Sequence, residues 1–382
     1  MLGEMTDNCA CNVYKLGGAL VASTETCLLR RIDPDTLETG EKIDISGLVN
    51  IASARALTDP VTGDVFNISG TFLTGLKYHF IKFPDSSEVQ GQKDLLASAK
   101  TVASFPSRMT TCFSYYHSFG MTDGYLIMIE QPWVANSIKL ATSKMKGQTF
   151  YECLDWCQNE KNLFHVIDKE SGKVVKQFIS SSGFFFLNFI NCYEENNDIL
   201  VDLVGYDSPE MLEKMSLEKL RQGRFDVKDK SKVMRFKLSL DAGEKQPVIE
   251  PKLVTPDQGC EHPSINRKFT GKKYQYAYVI GWLESVNRGP FANALTKINM
   301  DNGQQIAWRG DEFCHPAEAL FVPKSEDSAE DEGLVIASVT DVREDQKDFL
   351  VFLDARTMAE LARANFDDSI PFASHAYFHE DQ

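Results

Sequence analysis

Leu295-Thr296-Lys297-Ile298-Asn299-Met300-Asp301-Asn302-Gly303-Gln304-Gln305-Ile306 reads as a strand, a turn and a return strand. Its β-branched and apolar residues run up to Asn299, and Asp301-Asn302-Gly303 supplies residue types that tolerate a tight reversal. The pattern recurs on both sides. Downstream it is Phe349-Leu350-Val351-Phe352-Leu353-Asp354, a polar turn, then Met358-Ala359-Glu360-Leu361. Upstream it is Phe164 to Asp168 with its return at Lys173-Val174-Val175, and Cys27 to Asp33 with its return at Leu37 to Gly40, after the strand Ala19-Leu20-Val21-Ala22. Each apolar strand ends in Asp or Asn. Between the hairpins lie further short apolar runs: Tyr125 to Ile129, Ile199 to Val204, Tyr276 to Trp282 and Gly333 to Val339. Many short strands with repeated hairpins predict an all-β chain, a propeller or large barrel ahead of a sandwich at this length. The spacing is uneven, so a strict sequence repeat is not the source of the pattern. One helix is predicted, with Ser208 as cap, Pro209 in the first helical position and the body running to Leu220. The acidic run Lys324 to Gly333 reads as a solvated loop. No linker stands out, and residues 1–382 read as a single domain.

At 382 residues the chain can bury a large core, and 43% apolar content is ordinary for a globular protein. A net charge of −15 argues against a nucleic-acid partner. No apolar run is long enough to span a bilayer, and Met1 to Asp7 lacks a basic start and an apolar core of the secretory kind, so a cytoplasmic protein is expected. The nine cysteines are irregularly spaced and read as reduced, buried small apolar residues.

Chemistry is sparsely signposted. There is no Gly-rich phosphate loop, no Gly-x-Ser-x-Gly and no His-Glu-x-x-His. Of seven histidines, His117 stands in Tyr115-Tyr116-His117-Ser118-Phe119-Gly120-Met121-Thr122, and His375 in Ser374-His375-Ala376-Tyr377-Phe378. Taken alone, each reads first as a buried, hydrogen-bonded core histidine and second as an inward metal ligand; the occurrence of two such sites raises the second reading. His262 and His315 each precede a proline and have a glutamate close by, Glu261 and Glu318. A carboxylate that bonds one imidazole nitrogen fixes the other for a metal. The plain alternative for Glu25, Glu261 and Glu318 is an ion pair or a strand-end hydrogen bond.

These stretches carry a resemblance. Thr6-Asp7-Asn8-Cys9, Arg31-Ile32-Asp33-Pro34-Asp35-Thr36-Leu37-Glu38-Thr39, Tyr116 to Thr122, Ile190-Asn191-Cys192-Tyr193-Glu194, Glu261-His262-Pro263-Ser264-Ile265-Asn266, Pro316-Ala317-Glu318-Ala319 and Ile370 to His375 together resemble the carotenoid cleavage oxygenases. The resemblance implies a seven-bladed β-propeller of the carotenoid oxygenase type with a helical and loop cap, here without the family's front portion. It also implies Fe(II) held by four histidines, three of them oriented by glutamates, and cleavage of a polyene double bond by O2. One branch of the family isomerises a retinyl ester instead.

Carried over residue by residue, two ligand positions fall on His117 and His375, with Glu25 and Glu318 behind them. The third falls on Asn188, whose glutamate position is Glu261. The first falls on Ala56. Asn188 is shorter than histidine, so a gap in front of Glu261 is expected, filled by water. Phe184, Phe185, Phe186 and Phe189 are the residues that would line a tunnel for an apolar polyene, or else are core. Pro132 to Leu140 matches a segment at the tunnel mouth that can rest on a membrane, or else is a short surface helix or loop. Three readings follow: a carotenoid or apocarotenoid oxygenase of weak or lost activity, a non-catalytic carotenoid- or retinoid-binding protein, and an inactive fragment.

Overall fold

The structure, a computed structural model, describes residues 6–72, 75–85, 92–223, 225, 229–255, 259–282 and 291–379. The reading of Met1 to Asp7 lies mostly outside the described residues. Among those described, strands dominate and assemble into seven sheets. Contacts divide the chain into two compact units. One holds residues 1–187, 196–198 and 238–250, the other residues 188–195, 199–237 and 251–382.

In the first unit, four consecutive strands from Asn12–Leu16 to Thr39–Asp44 form one antiparallel sheet. A second sheet is built on Val65–Thr71 and Lys77–Phe83, and a third runs Cys112–Ser114, Trp133–Asn136, Leu154–Trp156. The fourth is centred on Tyr125–Glu130 paired with Leu163–Asp168. A core of this unit, drawn from more than one sheet, includes Ile68, Phe80, Phe119, Leu126 and Met128, all buried. In the second unit, Tyr276–Gly281, Ala294–Asn299 and Gln305–Arg309 form consecutive antiparallel neighbours. So do Gly333–Asp341, Phe349–Asp354 and Glu360–Asn365. Tyr278, Leu295, Phe321, Val335, Val351 and Leu353 fill this unit's core. The strand Phe185–Glu195 runs from the first unit into the second.

The four hairpins read from the sequence are present and share one turn geometry. Asn299 accepts the N–H groups of Asp301 and Asn302 on its side-chain oxygen at 3.0 and 3.3 Å, and its carbonyl accepts the Gly303 N–H at 2.8 Å. Gly303 has φ +74, and a Cβ there would lie 2.2 Å from the Val254 carbonyl oxygen. Only glycine fits both demands. Asp33, Asp168 and Asp354 repeat the arrangement, with the fourth residue on, Leu37, Gly172 and Met358, left-handed. A fifth copy, Asp59 with Gly63, escaped the sequence reading because only the two-residue strand Leu57–Thr58 precedes it. The side-chain oxygen satisfies turn N–H groups that the ladder cannot reach.

Two expectations are corrected. The helix predicted from Pro209 to Leu220 is two short helices, Glu210–Lys214 and Leu217–Arg221, parted at Ser216, whose ψ of 137 is extended. Pro209 is the residue before the first helix rather than its first turn. The acidic run is not simply solvated. Glu330 accepts the Gln275 and Tyr276 backbone N–H groups at 2.8 and 2.7 Å, and Asp331 pairs with buried Lys297 at 2.6 Å. Carboxylates here hold the start of the strand Tyr276–Gly281 and a lysine on its neighbour.

Candidate functional site

In the first unit His117 sits on the loop before Gly120–Met121, held from three sides. Its Nδ1 lies 2.5 Å from Glu25 Oε1. The Tyr115 hydroxyl donates to the other oxygen of Glu25 at 2.5 Å, and Ser53 donates to the His117 carbonyl. Burial first, and then the Glu25 charge, push the Tyr115 phenol well above its usual range, so it stays a donor. Ser118 donates to the Leu187 carbonyl at 2.6 Å. Ala56 presents a methyl group, partly buried against the core that holds Leu16, Val49 and Leu95.

Phe184, Phe185 and Phe186 are buried at the start of the long strand. Phe185 packs edge-on against Trp133 at 5.2 Å and Phe184 lies 6.3 Å from Phe164. Gln131 clamps the Phe186 backbone by both its N–H and its carbonyl. The Phe186 ring lies 5.9 Å from Phe184, so these three aromatic side chains have core neighbours of their own; Phe189, also buried, belongs to the second unit.

In the second unit His375 is nearly inaccessible, its side chain 3% exposed, and its Nδ1 is 3.0 Å from Glu318 Oε1. The other oxygen of Glu318 accepts the Ala376 N–H at 3.0 Å. Glu318 therefore serves a histidine 57 residues on, while its near neighbour His315 lies with Nδ1 3.1 Å from the Ala292 carbonyl. Asn188 donates through Nδ2 to Glu261 Oε2 at 2.9 Å. The water-filled gap expected in front of Glu261 is thus closed by a direct bond. The remaining capacity of Glu261 is also used: the Tyr206 hydroxyl donates to Oε1 at 2.8 Å and the His262 backbone N–H to Oε2 at 3.0 Å. Sequence proximity suggested that Glu261 would orient the His262 ring, but it holds that residue's backbone instead. The His262 ring lies against His375, centroids 5.4 Å apart. No sequence pattern points to this neighbour; His262 itself has a left-handed φ of +47.

One other cluster has metal-ligand chemistry among the described residues. Donor atoms of Asp311, Cys314 and Asp341 lie within 4.8 Å of one another. A guanidinium already bridges the carboxylates. Arg343 Nη2 reaches Asp311 at 2.8 Å and Asp341 at 2.5 Å, and its Nε reaches Asp341 at 2.9 Å. The Cys314 thiol is pushed up to about 12 by burial and by Asp311, which disfavours the thiolate a metal needs. The cluster is a structural clamp. Its hydrogen bonds from Arg343 hold the Asp341 carboxyl below its usual range. A depressed carboxyl stabilises the fold above its unfolded pKa and loses that contribution as pH falls through the folded value. The difference in urea midpoint between the native protein and Asp341→Asn should therefore be constant above about pH 5 and shrink below about pH 4. A gap independent of pH would show that the clamp does not act through charge.

The sequence pattern of the retinal pigment epithelial membrane protein family matches residues 2–380. The β,β-carotene 15,15′-dioxygenase of Gallus gallus is 31% identical over 98% of this chain and 76% of its own length. The chain belongs to the carotenoid cleavage oxygenase family. Solved structures carry the likeness to the fold. The lignostilbene dioxygenase of Pseudomonas brassicacearum superposes with a TM-score of 0.80 at 20% identity, over 98% of this chain and 75% of that one. A variant of Synechocystis apocarotenoid oxygenase does so with a TM-score of 0.81 at 20% identity, over 98% and 75%. The fold is the all-β propeller of the carotenoid oxygenases. No described helix is long and apolar enough to cross a membrane.

The family implies Fe(II) on four imidazoles. Asn188, which the resemblance places at one ligand position, spends an amide N–H on Glu261, and Ala56, which it places at another, carries a methyl group, so the residues as the resemblance assigns them do not fit that set. A neutral amide oxygen is a poor replacement for imidazole at iron. Two imidazole–carboxylate pairs, His117 with Glu25 and His375 with Glu318, keep the hydrogen bonds that would orient a ligand.

Proposed function

We propose that this protein binds an apolar polyene, a carotenoid or apocarotenoid, and that oxidative cleavage of its double bond by O2 at non-haem Fe(II) is lost or strongly weakened. The relatives' names, β,β-carotene dioxygenase and apocarotenoid oxygenase, support the ligand class. The observation that carries the loss of chemistry is the Asn188–Glu261 hydrogen bond, which uses for a structural purpose the carboxylate that would back an imidazole. The intact His117–Glu25 and His375–Glu318 pairs favour a second reading, an oxygenase of residual activity.

The same reading includes peripheral membrane contact through the helix Ser137–Lys146. It shares only residues 137–140 with the expected segment Pro132 to Leu140, whose front half is instead the buried strand Trp133–Asn136. Asn136 caps this helix, and it exposes Ile138 and Met145 beside Lys144 and Lys146. Apolar side chains flanked by lysines suit an anionic interface.

One preparation tests all three statements. The full chain, expressed with iron supplied and incubated with β-carotene and an apocarotenal, should hold well under one iron per chain. It should retain intact polyene absorbance, give no shortened aldehyde by chromatography, and sediment with anionic vesicles. One iron per chain with stoichiometric or catalytic aldehyde formation would establish the oxygenase instead. Absence of polyene binding would remove the proposal, and absence from the vesicle pellet would remove the membrane contact.

A further inference from the structure

We infer that residues 366–379 form a strap latched by Arg267, and that this latch sets whether His375 is seated in the second unit or withdrawn from it. The latch is independent of the polyene reading, since every contact it uses lies in the second unit.

The strap has no ladder of its own. After the strand Glu360–Asn365 the chain runs through residues 366–379 without helix or strand. It is tied down at separate points. Asp348 accepts the Ile370 N–H at 2.7 Å, and the Phe372 ring lies 5.1 Å from Phe291 yet stays 38% exposed. At Ala376 both backbone polar groups are claimed. Glu318 accepts its N–H at 3.0 Å, and Arg267 Nη2 donates to its carbonyl at 3.1 Å. The Arg267 guanidinium also lies over the Tyr377 ring, 4.8 Å from the centroid. Two side chains of opposite charge therefore grip the main chain one residue beyond His375. Segments with few buried contacts and an irregular backbone open at low cost. Here such a segment carries a histidine whose side chain is only 3% exposed.

The post that holds the strap is tightly bonded by comparison. Arg267 opens the short turn Arg267–Phe269, which the Asn266 side chain caps at the Lys268 N–H, 3.1 Å away. Buried Asn191 fixes the far side of that turn. Its Nδ2 donates to the Phe269 and Lys272 carbonyls at 2.9 and 3.1 Å, and its Oδ1 accepts the Gly271 N–H at 3.0 Å. Asn266 and Lys268 reach another segment, the carbonyls of Glu330 and Glu326, and Arg267 between them takes the strap. A fixed turn facing an irregular segment makes a latch. Releasing the guanidinium gives up the Ala376 carbonyl and the Tyr377 ring together, while the Glu318 bonds remain. Arg267 is thus a positioning residue that acts on His375 through the main chain of Ala376.

The test is carbethoxylation of the full chain by diethyl pyrocarbonate, without polyene, followed histidine by histidine by peptide mass spectrometry. An imidazole reacts only where a ring nitrogen meets the reagent, so the native chain should modify exposed His379 quickly and His375 slowly. In Arg267→Ala the rate at His375 should rise at least about 5-fold, the joint scale of a hydrogen bond and an exposed cation–ring contact. His165 reports on global unfolding, because its side chain is 4% exposed and both ring nitrogens are engaged, by Glu130 and Gln177. Its rate should not change. Arg267→Lys, which keeps a cation near the ring, should recover part of the protection. A folded Arg267→Ala variant with no rise at His375, a rise shared equally by His165, or no recovery with lysine overturns the latch. So does a native chain whose His375 reacts as fast as His379. Should Arg267→Ala fail to fold, Tyr377→Leu removes the ring and keeps the arginine. Raised reactivity at His375 then supports the latch, and unchanged reactivity overturns it. Polyene binding stands or falls separately.

Discussion

Asp202→Ala is expected to lower the thermal unfolding midpoint by about 6–20 °C. Asp202 is fully buried on the strand Asp198–Tyr206. Both its oxygens are engaged by Arg235, Nε and Nη2 each at 2.7 Å, and the Tyr274 hydroxyl adds a third bond at 2.7 Å. Burial acts against the charge on Arg235, but the bonds to Asp202 outweigh it and hold the guanidinium above its ordinary range. The Tyr193 ring, 5.8 Å away, faces the same cation. Removing the carboxylate leaves a half-buried guanidinium without its counter-ion, and breaking such a pair costs about 3–5 kcal/mol. At about 2–4 °C per kcal/mol for a cooperative unit of this size, the range follows. Calorimetry or circular dichroism checks it. A shift under about 2 °C would mean that water enters to solvate Arg235 in the variant.

Asn188→His is expected to raise iron affinity by more than the roughly 10–100-fold associated with contacts behind a ligand, since it adds a ligand outright. Glu261 Oε2 already accepts an N–H from this position, so an imidazole Nδ1–H can take over the bond and turn Nε2 away from the carboxylate. The measurement is anaerobic Fe²⁺ titration of both proteins, with metal content after desalting. Oxygenase products should rise with occupancy if the remaining machinery is intact. A folded variant with no gain in iron would show that residue 188 is not a ligand position in this chain, and would withdraw the argument built on the amide.

Much of the fold could be read from the chain because the turns are written locally. Asn299, Asp33, Asp168 and Asp354 each combine a strand end with a side-chain acceptor for the next N–H groups, so residue type and geometry coincide. Asp59 shows the limit, since strands of two residues leave no pattern to find. The helix after Pro209 was legible in composition but not in its break at Ser216. The site was legible only in part. His117, His375 and the glutamates could be marked from their surroundings, but their roles came from a resemblance to a family. Their pairing could not have come from spacing, because Glu318 lies three residues from His315 and serves His375 instead. The contact between His262 and His375 was invisible because no sequence pattern points to it, and His262 itself has a main-chain conformation that histidine seldom adopts.

The shared turn geometry also bears on how quickly the chain finds its register. Each reversal is closed by atoms no more than five residues apart, for example Asp33 N–H to the Glu38 carbonyl and Asp354 N–H to the Ala359 carbonyl. Such loops close with little entropy loss, and hairpins built on them form in about 1–10 μs. Long-range pairing, such as that of Ile179 with Val248, has to wait for the intervening chain. The slow events in assembly are therefore the long-range strand pairings rather than the closing of the hairpins.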